Sequence, residues 1–145
     1  MQNLPHNYSV TATANVESTV TLAADRVANI ESAPPEQFGG PGDLWSPESL
    51  LVAAVADCFI LSFRAVAKGF KLEWISLECA VNGVLERVDN LTQFTEFEES
   101  VVLVVPAGTD EAKAKKVIDK AEHACLITNS LSGQVHLTAE IRVAD

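Results

Sequence analysis

Hydrophobic and polar residues change period several times along the chain, and each change marks an element. Tyr8, Val10, Ala12, Ala14 and Val16 alternate with Ser9, Thr11, Thr13 and Asn15, which predicts a strand with one buried face. Thr19 to Leu22 reads as its short partner, with Val20 and Leu22 on the apolar side and Glu17-Ser18 as the turn. Ala33 to Trp45 (APPEQFGGPGDLW) is dense in Pro and Gly and predicts a loop. Ser46-Pro47-Glu48 then opens a helix. Ser46 is placed to cap free amides, Pro47 suits the first helical position, and Glu48 eases the positive end of the helix dipole. Ser49 stands where a capping box carries Glu or Gln, so a full box is not expected. The helix is expected over 47–68, with Gly69 as its stop.

Beyond it the period returns to two. Ile75, Leu77, Cys79 and Val81 alternate with Ser76, Glu78, Ala80 and Asn82, and Phe97, Val101, Leu103 and Val105 mark a further strand ended by Pro106-Ala107-Gly108. Thr109 or Asp110 caps a second helix. Its apolar positions Ala114, Val117, Ile118, Ala121 and Cys125 recur at helical spacing, with Lys113, Lys116 and Lys120 on the wet face. Val135, Leu137, Ala139, Ile141 and Val143 form the inward side of a last strand. The order predicts an α+β fold with mainly antiparallel sheets and two principal helices. No repeat or linker breaks the chain, so residues 1–145 read as a single domain.

The first helix constrains the assembly. From Leu50 to Leu61 every residue but Asp57 is apolar. A sheet covers one side of a helix, and a helix apolar all round needs cover all round. A second copy of the chain supplies it most simply, with the helices packed across a two-fold interface. The apolar run itself is shorter than the roughly 20 residues of a membrane span. The first residues, MQNLPHNYSV, lack the basic segment and apolar core of a secretory signal.

Composition narrows the partners. Acidic residues number 20 and basic ones 10, a net charge of −10, which disfavours nucleic acid and anionic membrane surfaces. Hydrophobic residues make up 48% and charged ones 21%, against disorder. Three cysteines are too few, and odd in number, for a secreted disulfide scaffold. A cytoplasmic, reduced protein that uses its thiols is the expected class.

Cys58 lies midway along the apolar helix and Cys125 ends the second. Two readings stay open for them. They are a peroxidatic and resolving pair, in which a sulfenic acid condenses with the second thiol, or two buried small hydrophobes. A helix C-terminus disfavours a thiolate at Cys125, and Cys58 is too far from its own helix start to gain from it. Glu48 precedes Cys58 by about 15 Å of straight helix, and a first-turn carboxylate needs no further role. Cys79 shares an inward strand face with Leu77 and Val81 and reads as core. His123 lies roughly opposite Cys125 on its helix. Ligand spacing for a metal is lacking, and Gly39-Gly40-Pro41-Gly42 does not follow a strand as a phosphate loop does.

The run GGPGDLWSPESLLVAAVADCF (Gly39 to Phe59), followed by AEHACLITNSL (Ala121 to Leu131), closely resembles the osmotically inducible / organic hydroperoxide resistance (OsmC/Ohr) family. The resemblance implies an intertwined α+β homodimer with the apolar helix 47–68 at its core and two active sites at the subunit interface. It implies a thiol-dependent peroxidase acting on organic hydroperoxides without a metal or bound organic cofactor. Cys58 would attack, Cys125 would resolve, and Glu48 would orient an arginine. A dithiol, typically a lipoyl group, would reduce the resulting disulfide. Arg26 is the only arginine before the helix and is the candidate for that role. The sequence departs from the family pattern at Leu126, where many relatives carry Pro, and at Asp57, where a small apolar residue is common. The competing expectation is a non-catalytic dimer of the same fold that binds small apolar molecules and keeps its thiols structural.

Overall fold

A computed structural model describes residues 2–144. It divides into two compact units, one reaching to Leu50 and the other starting at Leu51. The boundary falls in the first turn of the long helix.

The first unit holds a three-stranded antiparallel sheet, β1 (Thr11–Thr13), β2 (Val20–Ala23) and β3 (Ile30–Ser32), in that order. The expected first strand is thus shorter than its alternation. Pairing with β2 stops at Thr13, all three β1 residues are exposed, and Tyr8, Val10 and Val16 lie outside the ladder. The turn centres on Val16 and Glu17, with the Asn15 amide donating to the Ser18 hydroxyl at 2.8 Å. The sequence order allows two or three strands before the first helix; the third, β3, is three residues long, too short for periodicity to locate. It is held by Glu31, whose carboxylate accepts from the Thr19 and Thr21 hydroxyls at 2.6 and 2.7 Å. Those two bonds lower the Glu31 pKa. The Pro/Gly loop, with a 3-10 turn at Glu36–Phe38, comes back beside β3, where the Ala33 amide donates to the Trp45 carbonyl at 2.9 Å.

Helix α1 spans Pro47–Phe70. Its start is capped in both directions: the Ser49 amide donates to Ser46 Oγ at 3.1 Å, and the Ser46 amide donates to Ser49 Oγ at 2.8 Å. Ser49 therefore completes the reciprocal cap that the sequence rule reserves for Glu or Gln. At the other end the helix runs through Gly69. It stops at Lys71, whose φ of 50° is left-handed. The Leu72 amide donates to the Ala67 carbonyl at 3.0 Å and the Lys71 amide to the Lys68 carbonyl at 3.2 Å, the paired bonds of a Schellman ending. Lys113 Nζ donates to the Lys71 carbonyl at 3.1 Å, so a side chain steadies this unusual terminator. At 24 residues, with an 18-residue stretch of mean hydropathy 2.0, α1 is long and apolar enough to cross a bilayer by those measures alone. The expectation that length excluded a span counted only the uninterrupted apolar run.

In the second unit β4 (Ser76–Val88) and β5 (Leu91–Val105) form a long antiparallel hairpin, and β6 (Gln134–Val143) lies parallel to β5 on its other side. Asp89 and Asn90, both at positive φ (50° and 63°), make the tight turn, as a two-residue hairpin loop requires. Helix α2 (Glu111–Ala124) is capped by Asp110, whose side chain accepts from the Ala112 and Lys113 amides at 2.9 and 3.2 Å. Phe59, Phe63 and Ala67 of α1 meet Val101, Leu103 and Val105 of β5 and Ala114, Val117, Ile118 and Ala121 of α2 in one core. Trp74 sets its ring edge-on to Phe63 with centroids 5.4 Å apart. Gly83 on β4 lets α1 come close, because a Cβ there would lie 2.8 Å from Val52 Cγ2 and 2.9 Å from Phe94 Cε1.

Candidate functional site

Two helices bring the thiols of the second unit together. Val55, Phe59, Phe63 and Ala67 form the buried stripe of α1, four residues apart. Cys58 stands beside that stripe, half-buried, with Sγ 4.0 Å from Ser62 Oγ one turn on. Cys125 is the residue that ends α2, fully buried, its amide donating to the Glu122 carbonyl at 3.1 Å. Its own carbonyl accepts from Thr128 Oγ1 at 3.0 Å and from the Asn129 amide at 3.1 Å. A 3-10 turn at Thr128–Ser130 thereby locks the chain just beyond the thiol.

Cys58 and Cys125 are neighbours, both thiols being free. Burial pushes the Cys125 pKa up; the hydroxyl and amide of Thr128 pull it down, and Cys58 adds to the upward push by hydrogen bonding and charge. The resting state of Cys125 is thus the thiol, and a thiolate there must be generated when it is needed.

Cys79 on β4 belongs to the same neighbourhood. Half-buried, it packs against the core that contains Ala121, one turn before Cys125. Burial, then the charges of Glu99 and Cys125, push its pKa up to about 12. Glu99 itself is a residue that the sequence reading passed over. On β5 the inward positions are Phe97, Glu99, Val101, Leu103 and Val105, all buried. The signal was in the alternation: a carboxylate stands in phase with four apolar side chains. Glu99 is 1% exposed, and neither carboxylate oxygen has a hydrogen-bond partner among the described residues. Burial first, and Glu122 second, raise its pKa to about 7.

Glu48 and Arg26 lie in the first unit. Glu48 lines a pocket of about 320 Å³ with Val20, Pro34, Pro35, Phe38 and Pro47. Its Oε2 is buried there without a hydrogen-bond partner among the described residues. Arg26, in the loop between β2 and β3 at a φ of 63°, has a side chain 90% exposed and pairs with Asp25 at 3.2 Å. Asp57 is exposed on α1. His123 bonds the Asp119 carbonyl through Nδ1 at 2.7 Å, and His136 stands 3.6 Å from Glu96 on the wet face of the sheet. Among the described residues no group of three or more His, Cys, Asp or Glu side chains is placed to hold a metal.

Two free thiols held side by side are an arrangement able to form a disulfide. Residues 40–140 match the family of OsmC-like proteins. An organic hydroperoxide resistance protein of Xanthomonas axonopodis pv. citri is 30% identical over 132 residues, 88% of each chain. The Bacillus subtilis protein YmaD, uncharacterized, is 30% identical over 112 residues, 75% of each chain. Among solved structures, an OsmC-like protein of unknown function from Vibrio cholerae superposes with a TM-score of 0.85 at 19% identity, covering 94% of this chain and 100% of the other. The OhrB organic hydroperoxide resistance protein of Bacillus subtilis gives a TM-score of 0.66 at 21% identity, covering 94% and 98%. With fold, core helix and both cysteine segments accounted for, the chain belongs to the OsmC/Ohr family of OsmC-like proteins.

Proposed function

We propose that the protein is a thiol-dependent peroxidase that reduces organic hydroperoxides and serves in resistance to oxidative stress. The observation that carries this reading is the meeting of Cys58 and Cys125, distant in sequence, as neighbouring free thiols. The Cys58 thiolate attacks the hydroperoxide; the S–O bond forms, the O–O bond breaks, and the alkoxide leaves with a proton as the alcohol. The Cys125 sulfur then attacks the sulfenic sulfur, an S–S bond forms, and hydroxide departs with a proton as water. An external dithiol, of which a lipoyl group is one, returns two electrons and two protons. The name of the Xanthomonas relative points the same way.

Glu48 is read as the anchor for a guanidinium, because its partnerless Oε2 in an apolar pocket has a vacant accepting position. Arg26 is the proposed donor as the one arginine that precedes the helix, and it must leave Asp25 to act. The working unit is read as a homodimer. Only one stripe of α1 is buried in the single chain, while Leu61 on another face is 52% exposed. The same helix is read as a core helix and not a membrane span, because Phe59, Phe63 and Ala67 pack into the protein's own core. Three free cysteines suit the reducing cytoplasm.

Titration with tert-butyl hydroperoxide tests the reading. Two free thiols per chain are expected to disappear in one fast step, and Cys58→Ala is expected to abolish it. Slow oxidation that Cys58→Ala leaves unchanged would sink the peroxidase and favour the dimer with structural thiols.

A further inference from the structure

Ser62 ends the apolar run of α1, directly after Leu61, and the chemistry proposed above gives it no role. A helical serine usually turns its hydroxyl back onto the carbonyl three or four residues earlier. Ser130, in the 3-10 turn after α2, does so, its Oγ donating to the Leu126 carbonyl at 2.7 Å. Ser62 does not. Among the described residues its Oγ has one hydrogen-bond partner, Cys58 Sγ at 4.0 Å. The two side chains are four residues apart and share a face of the helix, so the backbone of α1 holds them in register. Between a neutral thiol and a hydroxyl the direction of the contact is open, because either group donates or accepts. Ionisation settles it. A thiolate has no proton to give, so Ser62 must be the donor, and a bond to a charged acceptor is shorter and roughly twice as strong. Two titratable groups adjoin Cys58. Cys125 faces it from the end of α2, and Asp57, one residue back, is exposed and turned about 100° round the helix. Neither brings a positive charge.

We infer that Ser62 is the hydrogen-bond donor to the Cys58 thiolate, a further catalytic residue supplied by the same helix one turn on. The hydroxyl keeps its proton throughout. No bond is made or broken at Ser62, while at Cys58 the S–O bond forms and the O–O bond breaks as already written. The effect on rate has two opposed parts. A donor increases the share of Cys58 that is ionised, and it makes each thiolate less nucleophilic. For thiols the second effect cancels up to about half of the first on a logarithmic scale. Where most of Cys58 is protonated, the donor therefore speeds attack. Where all of it is ionised, only the loss of nucleophilicity remains, and the donor slows attack. This deepens the peroxidase reading, on which its biological meaning rests.

Alkylation by iodoacetamide tests the donor without any hydroperoxide. The full chain is reduced, freed of reductant, and alkylated across a pH series, with the rate at Cys58 read by peptide mass. Ser62→Ala removes the hydroxyl and favours the helix, so the fold is expected to survive; Ser62→Thr keeps a hydroxyl at the same place. In Ser62→Ala the pH midpoint of Cys58 alkylation is expected to move up by about one unit, the scale of a lost hydrogen bond to a charged group. The rate is expected to fall about threefold on the acid side of the midpoint and to rise about threefold on the alkaline side. Ser62→Thr is expected to return both limbs toward wild type. A midpoint that stays in place overturns the assignment. So does a rate changed by one factor at every pH, as altered access alone would change it. Wild type that fails to consume hydroperoxide, with the alkylation result intact, overturns the peroxidase reading and leaves the donor standing.

Discussion

Glu99 is buried with both carboxylate oxygens unpartnered among the described residues, and what that costs depends on pH. Its folded pKa of about 7 lies above the ordinary carboxylate value of 4.5. Below pH 4.5 the carboxyl is protonated in both folded and unfolded chains, and no penalty arises. Between there and 7 the unfolded chain ionises while the folded one does not, so stability falls as pH rises, by about 3 kcal/mol in total. Glu99→Gln is therefore expected to unfold at a similar urea midpoint to wild type at pH 4.5 and at a clearly higher one at pH 8. Parallel midpoints at the two pH values would show that the carboxyl meets a polar environment after all. The residue was legible only in part. Its place in the alternation was visible, but a lone Glu between apolar neighbours reads equally as a break in the pattern, and the neighbours Cys79 and Glu122 reach it only through the fold. Cys58 and Cys125 present the opposite case. Their types and flanking motifs stood out in the sequence, while their proximity needed the packing of α1 against α2.

At the scale of elements, the two helices and most of β4 and β6 were readable because each carries enough periods to average over exceptions. The β4–β5 hairpin was only half readable. Its outer stretch, from Val84 to Glu96, mixes exposed and half-buried residues and shows no clean period of two. Its turn signal, Asp89-Asn90, was there but lacked the usual glycine. The parallel pairing of β5 with β6 depends on the route of the chain through α2, which local pattern does not encode. Two substitutions test how these elements are held. Asp110→Ala removes the acceptor for the Ala112 and Lys113 amides and is expected to lower stability by about 1 kcal/mol. Gly83→Ala forces a methyl against Val52 and Phe94, with an expected loss of about 1–3 kcal/mol. Thermal midpoints of the two variants decide both; an unchanged Gly83→Ala would mean that α1 approaches β4 less closely than described.

For the whole molecule, the question is what covers α1. A single chain buries one stripe of it, and in the proposed dimer a second copy would cover the remaining apolar faces. Leu61→Arg places a charge on an exposed position of one chain at little cost to its fold, but at a high cost to an apolar interface. Sedimentation is expected to show twice the chain mass for the wild type and a shift toward one chain for the variant; an unshifted variant would move the interface elsewhere. The net charge of −10 speaks to solubility and to the rejection of polyanions, and it offers the thiols no cation. The central claim is that the paired thiols reduce hydroperoxides. Consumption of tert-butyl hydroperoxide with dihydrolipoamide as reductant measures it most directly, comparing wild type, Cys58→Ala and Arg26→Ala. Sustained turnover by the wild type, none by Cys58→Ala and a marked loss in Arg26→Ala are expected. Turnover no faster than reductant alone, or equal in wild type and Cys58→Ala, would contradict the claim.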